Sequence, residues 1–141
     1  MNFSRLKDAI HFDYHMNSYI LDKVESIKDL GVIFNNTLIF KEYIDYVFAK
    51  SMRSLGFLKR NCVEFNNIIT LKTLLFSLVR PHLEYCCIVW NPIFNIDAVQ
   101  IKKVQKSLTR FMFSKLTVNM DGPSYFVRCK LFGRSLLWCK R

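Results

Sequence analysis

The stretch from Thr70 to Asn91, T-L-K-T-L-L-F-S-L-V-R-P-H-L-E-Y-C-C-I-V-W-N, most narrows what this chain can fold into. Leu71, Leu74, Leu75, Leu78, Val79 and His82 recur at the threes and fours of one helical face. Thr70 offers a hydroxyl to the orphan amides of a helix start, with Asn66 or Asn67 placed to share that role. Pro81 removes a backbone donor and crowds the preceding turn, so the pattern predicts a kink or break there. Beyond it, Tyr85-Cys86-Cys87-Ile88-Val89-Trp90 is apolar on every side, and Asn91-Pro92 closes the run. A helix over about 70–90 that begins one-sided and turns apolar all round is expected to be the central strut of a core.

The flanks supply elements for that strut to pack against. Phe12, Tyr14 and Met16 alternate with Asp13, His15 and Asn17, the period of a half-buried strand. A second strand, Ile27 to Phe34, carries Gly31 inside it, where a bulge or a close backbone approach is expected. Asn17-Ser18 or Asp22-Lys23 can turn the chain between the two strands, and Asn35-Asn36 ends the second. A helix follows over about 41–60, with Ile44, Val47, Phe48, Ser51, Met52, Leu55 and Leu58 or Phe57 as its apolar stripe. Past the strut, Asp97 or Asn95 can cap a helix of about 97–115, striped by Ile101, Val104, Leu108, Phe111 and Met112, with Lys115 beyond. Asp121-Gly122-Pro123 reads as a turn, and Ser124 can cap a short helix to Leu131. The expected fold is therefore mainly α: a β-hairpin at about 10–34, three long helices at about 41–60, 70–90 and 97–115, and a short C-terminal helix.

Large rings are available for the core, since 51% of residues are apolar and 15% aromatic, a composition that excludes disorder. The net charge is +10, and residues 98–141 hold ten Lys or Arg against the single acid Asp121. Charge so placed speaks of an anionic partner: nucleic acid, an anionic membrane surface or an acidic protein. On the third long helix, Lys102, Lys103, Lys106 and Arg110 step by one, three and four without the acids that normally alternate on a solvated face. They are candidate phosphate contacts. Lys59 and Arg60 join them as candidates, although Lys50, Arg53, Lys59 and Arg60 also suit the dipole at the end of the first helix.

Catalytic chemistry finds no constellation. The acids are scattered, with no paired aspartates for a two-metal site and no phosphate-cradling, nucleophile-elbow or zinc-protease motif. His82 beside the leucine stripe reads as a packed histidine rather than a base. The five cysteines, Cys62, Cys86, Cys87, Cys129 and Cys139, lack zinc-site spacing and read as buried thiols of a reducing compartment. The first ten residues do not resemble a signal peptide, and Arg80-Pro81 cuts the one run approaching a membrane span. An intracellular protein, nuclear or cytoplasmic, is expected, with neither membrane nor small-molecule ligand as a partner.

Five blocks in order carry more. Ile27-Lys28-Asp29-Leu30-Gly31-Val32-Ile33-Phe34 with Leu38-Ile39-Phe40 resembles the K-D-L-G-V…L-x-F block of jockey-type non-LTR retrotransposon reverse transcriptases. Leu55-Gly56-Phe57-Leu58-Lys59-Arg60-Asn61-Cys62 is similar to the next block. After it come Leu83-Glu84-Tyr85-Cys86 with Val89-Trp90-Asn91-Pro92, then Ile101-Lys102-Lys103-Val104-Gln105-Lys106 with Thr109-Arg110-Phe111. Tyr125…Arg128-Cys129 with Leu131 and Ser135-Leu136 resembles the last, and Asn2-Phe3-Ser4-Arg5 the end of a palm strand. Tyr43 stands where the family often has histidine, and Lys140-Arg141 where it usually ends in Arg-Arg.

That resemblance implies a division: 1–36 as the palm end and a primer-grip-like hairpin, 37–118 as a thumb-like helical bundle, and 119–141 as the truncated start of a connection region. Lys28, Asp29, Leu30 and Gly31 would be the primer-grip-like residues. The implied partners are an RNA/DNA template–primer duplex, held by its backbone, and the parent polymerase's palm. By the same resemblance the catalytic aspartates and their Mg2+ belong to that palm, upstream of Met1, so this segment is expected to bind no cofactor and to be inactive alone. The competing expectation is a non-catalytic helical protein-interaction module with exposed apolar faces.

Overall fold

The computed structural model describes residues 3, 12–65, 67–116 and 124. The chain is mainly helical, with antiparallel strand pairs ahead of the helices, as the patterning predicts. It divides into two units, Met1–Tyr43 and Ile44–Arg141. The short helix expected from Ser124 to Leu131 lies outside the described residues, Ser124 apart.

In the N-terminal unit, the single expected hairpin is two. β1 (His15–Met16) pairs with β2 (Tyr19–Ile20) around Asn17 and Ser18, at φ 48° and 65°. β3 (Ser26–Asp29) pairs with β4 (Val32–Asn35), Asp29 opposite Val32, around Leu30 and Gly31 at φ 45° and 83°. Gly31 is thus a turn residue and not a bulge within a strand. Positive φ at both central positions marks a type I′ turn, whose twist matches that of the strands it joins. The expected half-burial of Phe12, Tyr14 and Met16 also fails: all three are exposed, because strands of two residues form no surface broad enough to bury a face. Phe12 and Tyr14 still share a side, ring edge to ring face at 5.0 Å. Lys23 pairs with Asp13 at 2.7 Å. Asn35 ends β4 as expected, its Oδ1 accepting the Ile39 amide at 2.8 Å.

Leucine is a poor residue at positive φ, costing roughly 1–2 kcal/mol where asparagine costs less. Leu30 is also 83% exposed, so its side chain adds little packing. Leu30→Asn, giving an Asn-Gly turn, is expected to slow hydrogen exchange at the Asp29 and Val32 amides by roughly fivefold, equivalent to about 1 kcal/mol. Exchange at the wild-type rate would remove the φ argument.

The helical unit is built on three stripes. On α1 (Lys41–Asn61), Ile44, Val47, Ser51, Leu55 and Leu58 are buried, and Cys62 just past its end extends the stripe. Leu58 faces the core, while Phe57 is 55% exposed. α2 (Ile68–Leu78) starts at Asn67, whose Oδ1 accepts the amides of Ile69 at 2.9 Å and Thr70 at 3.5 Å. Asn67 is therefore the cap, and Thr70 lies inside the helix. Leu71, Leu75, Val79 and Leu83 are buried at successive fours.

The expected 70–90 helix is broken twice. α2 ends at Val79, and Pro81 falls in the first turn of α3 (Arg80–Glu84), where its missing N–H has no intrahelical partner to lose. Cys86 then adopts φ 51° ahead of α4 (Cys87–Trp90). Only Trp90 of that last piece is fully buried, its Nε1 donating to the Tyr85 carbonyl at 2.7 Å. Ile88 is 93% exposed, so the run is not the all-round buried strut its composition predicts. The double break turns part of it out to the surface.

α5 (Asn95–Leu116) buries Ile101, Val104, Leu108 and Met112, with Phe111 half-buried. Gln105 and Thr109 are buried beside them, and Thr109 Oγ1 donates back to the Gln105 and Lys106 carbonyls at 3.0 and 3.1 Å. The helix begins earlier than expected, the Ala98 amide reaching the Phe94 carbonyl at 3.2 Å. Asp97 consequently sits buried in the first turn, where the helix dipole favours a carboxylate. α2 packs on α5. Gln100 Nε2 donates to Asp45 Oδ1 at 2.7 Å and Lys59 Nζ to Ser107 Oγ at 3.0 Å, two side-chain bonds that tie α1 to α5.

Candidate nucleic-acid interface

Helical geometry fixes where the cations of α5 go. At about 100° per residue, Lys102, Lys106, Arg110 and Lys103 fan across roughly 100° of the helix surface. Buried Ile101, Val104, Leu108 and Met112 occupy the opposite side. All four cations are exposed. The ladder from Lys102 to Arg110 is about 12 Å long at 1.5 Å per residue. The same stripe that buries one face of α5 thereby holds the cationic face outward on a rigid rod.

Lys59 joins this face from α1, because its bond to Ser107 seats the ammonium next to α5. Ser107 was invisible as a site residue in the sequence: its role depends on which helix lies alongside. Arg60 is exposed, and its guanidinium lies back along its own helix, where a Cβ added at Gly56 would meet Nη1 at 3.7 Å. The structure therefore brings Lys102, Lys103, Lys106, Arg110 and Lys59 together, while Arg60 turns toward α1. Lys115, at the far end, donates to the Val63 carbonyl, tying the end of α5 to the segment after α1.

The primer-grip-like residues lie in the other unit. Lys28 and Asp29 end β3, and Leu30 and Gly31 form the turn beyond it. Lys28 and Asp29 are exposed there. The charge division between the units is sharp. Residues 1–43 hold five Lys or Arg against six acids, and residues 44–141 hold sixteen against five. All of the chain's excess positive charge belongs to the helical unit.

Other cations are engaged locally. Arg80 Nε meets Glu84 Oε1 at 2.5 Å, and its guanidinium lies 5.3 Å from the Phe76 ring centre, with Lys72 at 5.5 Å from the same ring. Among the described residues no group of His, Cys, Asp and Glu could hold a metal ion, and no helix is long and apolar enough to cross a membrane. Cys62 is a buried thiol as expected, while Cys86 and Cys87 are half-buried.

His82 is half-buried on α3, and its pKa falls below the ordinary 6.5 through desolvation first and the nearby Lys50 charge second. The unfolded chain therefore takes up a proton at a higher pH than the fold does. Stability is full above about 6.5, falls as pH drops from there to the folded pKa, and is flat below it. Thermal melts in that window should show a small drop in Tm that His82→Gln removes. An unchanged pH dependence in the variant would clear His82 of the effect.

Comparison with known proteins gives no relative: no family model, no curated protein and no solved structure matches this chain. What the site can do chemically follows from its residues alone. Exposed ammonium and guanidinium groups on a rigid helix attract polyanions and orient them, without reading sequence.

Proposed function

We propose that this chain is a primer-grip and thumb segment of a jockey-type non-LTR retrotransposon reverse transcriptase, and that its helical unit holds a template–primer duplex by the phosphate backbone. One observation carries the binding half: Lys102, Lys103, Lys106 and Arg110 project from the single outward face of α5, with Lys59 seated beside them. The ordered sequence blocks from Ile27 to Leu136 support the family half. Polymerisation is assigned to the palm of the parent polymerase, so the segment binds without reacting.

A salt titration tests the binding. With about four phosphates neutralised, log Kd should rise with log salt at a slope near 4, which weakens binding about a hundredfold between 50 and 200 mM. Duplexes of unrelated sequence should bind alike. A flat response to salt would sink the phosphate reading.

The alternative, a protein-interaction module, draws on exposed apolar residues around α4 and the start of α5, including Ile88, Ile93 and Ile96 at 93%, 61% and 76% exposure. Light scattering separates the two readings, because a clean monomer at high concentration counts against the module.

A further inference from the structure

The corner where α4 leads into α5 carries a surface that phosphate holding leaves unused. Ile88, Ile93, Phe94, Ile96 and Val99 are each more than half exposed. Apolar side chains gathered in this way on a surface mark a contact with a protein or a membrane. At about 100° per residue, Ile96 and Val99 share roughly 80° of the α5 surface with Lys103, Lys106 and Arg110. The same face of the helix therefore begins apolar and continues cationic. Between Tyr85 and Arg110 the one acid is Asp97, and it is buried.

Such a surface fits an occupant that is apolar and anionic side by side. A duplex turns phosphate and sugar outward, and isoleucine and valine offer no flat ring on which an unpaired base can stack. A second copy of this chain would bring together two helical units, each with sixteen cations against five acids. An anionic lipid surface supplies both properties at once, charged headgroups with acyl chains about 5–10 Å beneath them. We propose that the α4–α5 corner is a site for an anionic lipid surface. Ile88, Ile93, Phe94 and Ile96 enter the boundary between headgroups and acyl chains, and Lys103, Lys106 and Arg110 pair with the headgroups. Peripheral contact of this kind needs no spanning helix. The site goes beyond duplex binding and does not rest on it, although the three cations serve both.

Cosedimentation of the full chain with lipid vesicles tests the site. Vesicles with about one-third phosphatidylserine are expected to bind about a hundredfold more tightly than phosphatidylcholine alone, roughly fivefold for each of three cations. Ile88→Ser/Ile96→Ser should weaken that binding about tenfold or more, while duplex affinity and its salt slope stay unchanged. Both positions are exposed enough for the fold to tolerate serine. Ile96→Trp reads insertion directly: relative to wild type, the added indole should shift its emission to shorter wavelength on anionic vesicles. Equal binding to both vesicles, binding that survives the double serine variant, or an indole emission that does not move overturns the lipid site. Loss of duplex affinity in the double serine variant assigns the corner to nucleic acid instead. A dimer in light scattering that the same variant makes monomeric assigns it to a second copy. Either result overturns the lipid site as well.

Discussion

Trp90→Ala is expected to lower the unfolding free energy by about 3–5 kcal/mol, the usual cost of deleting a fully buried tryptophan. Trp90 has no exposed surface, and it is the one residue of α4 that is fully buried. Its indole N–H also satisfies the Tyr85 carbonyl, which the break at Cys86 would otherwise leave without a helical partner. One side chain therefore closes the gap between α3 and α4 and fills the core beneath it. Against the 5–15 kcal/mol typical of a domain, the loss would leave the helical unit close to unfolding at ordinary temperature. Trp90→Phe separates the two contributions: it keeps a large ring, loses the hydrogen bond, and is expected to cost less. Urea titration followed by circular dichroism measures both. A Trp90→Ala change below about 1 kcal/mol would show that the α4 corner is not part of the cooperative core.

The second large effect is on binding. Lys102→Ala/Lys103→Ala/Lys106→Ala is expected to cut the salt slope by about 2.7, near 0.9 for each phosphate that is no longer neutralised. Affinity at low salt should fall by at least a hundredfold and by the same factor for every duplex sequence, because phosphate contacts carry no base information. Stability should barely move, since all three side chains lie on the exposed face. Arg60→Ala is the internal control: its guanidinium lies along α1, and its loss should have a smaller effect. An affinity drop confined to some sequences, or an unchanged slope, would contradict simple phosphate tracking.

Much of this architecture could be read from residue order. Periodicity located α1 and α5 to within a few residues, because each repeats an apolar side chain at threes and fours over five turns or more. It also put the four α5 cations opposite the stripe, since one rotation per residue fixes both faces together. The hairpins were less legible. Leu30-Gly31 looks like the interior of a strand, because leucine is an uncommon turn residue. Only pairing Asp29 with Val32 forces both residues into positive φ.

The opening stretch, Thr70–Asn91, shows the division most clearly. Its sequence alone determined that a helix begins near residue 70, that Leu71 and Leu75 face the core, and that the helix cannot pass Pro81 unbroken. Those outcomes depend on local geometry and on a missing amide, both properties of the chain itself. Tertiary structure decided that Val79 ends the helix, that Cys86 turns left-handed, and that Trp90 goes in while Ile88 goes out. Six apolar residues in a row carry no periodicity, so only the space available against the rest of the core can choose among them. The same holds for Lys59: its charge was visible in the sequence, but its place beside α5 depends on Ser107, forty-eight residues away, being brought within hydrogen-bond reach by the fold.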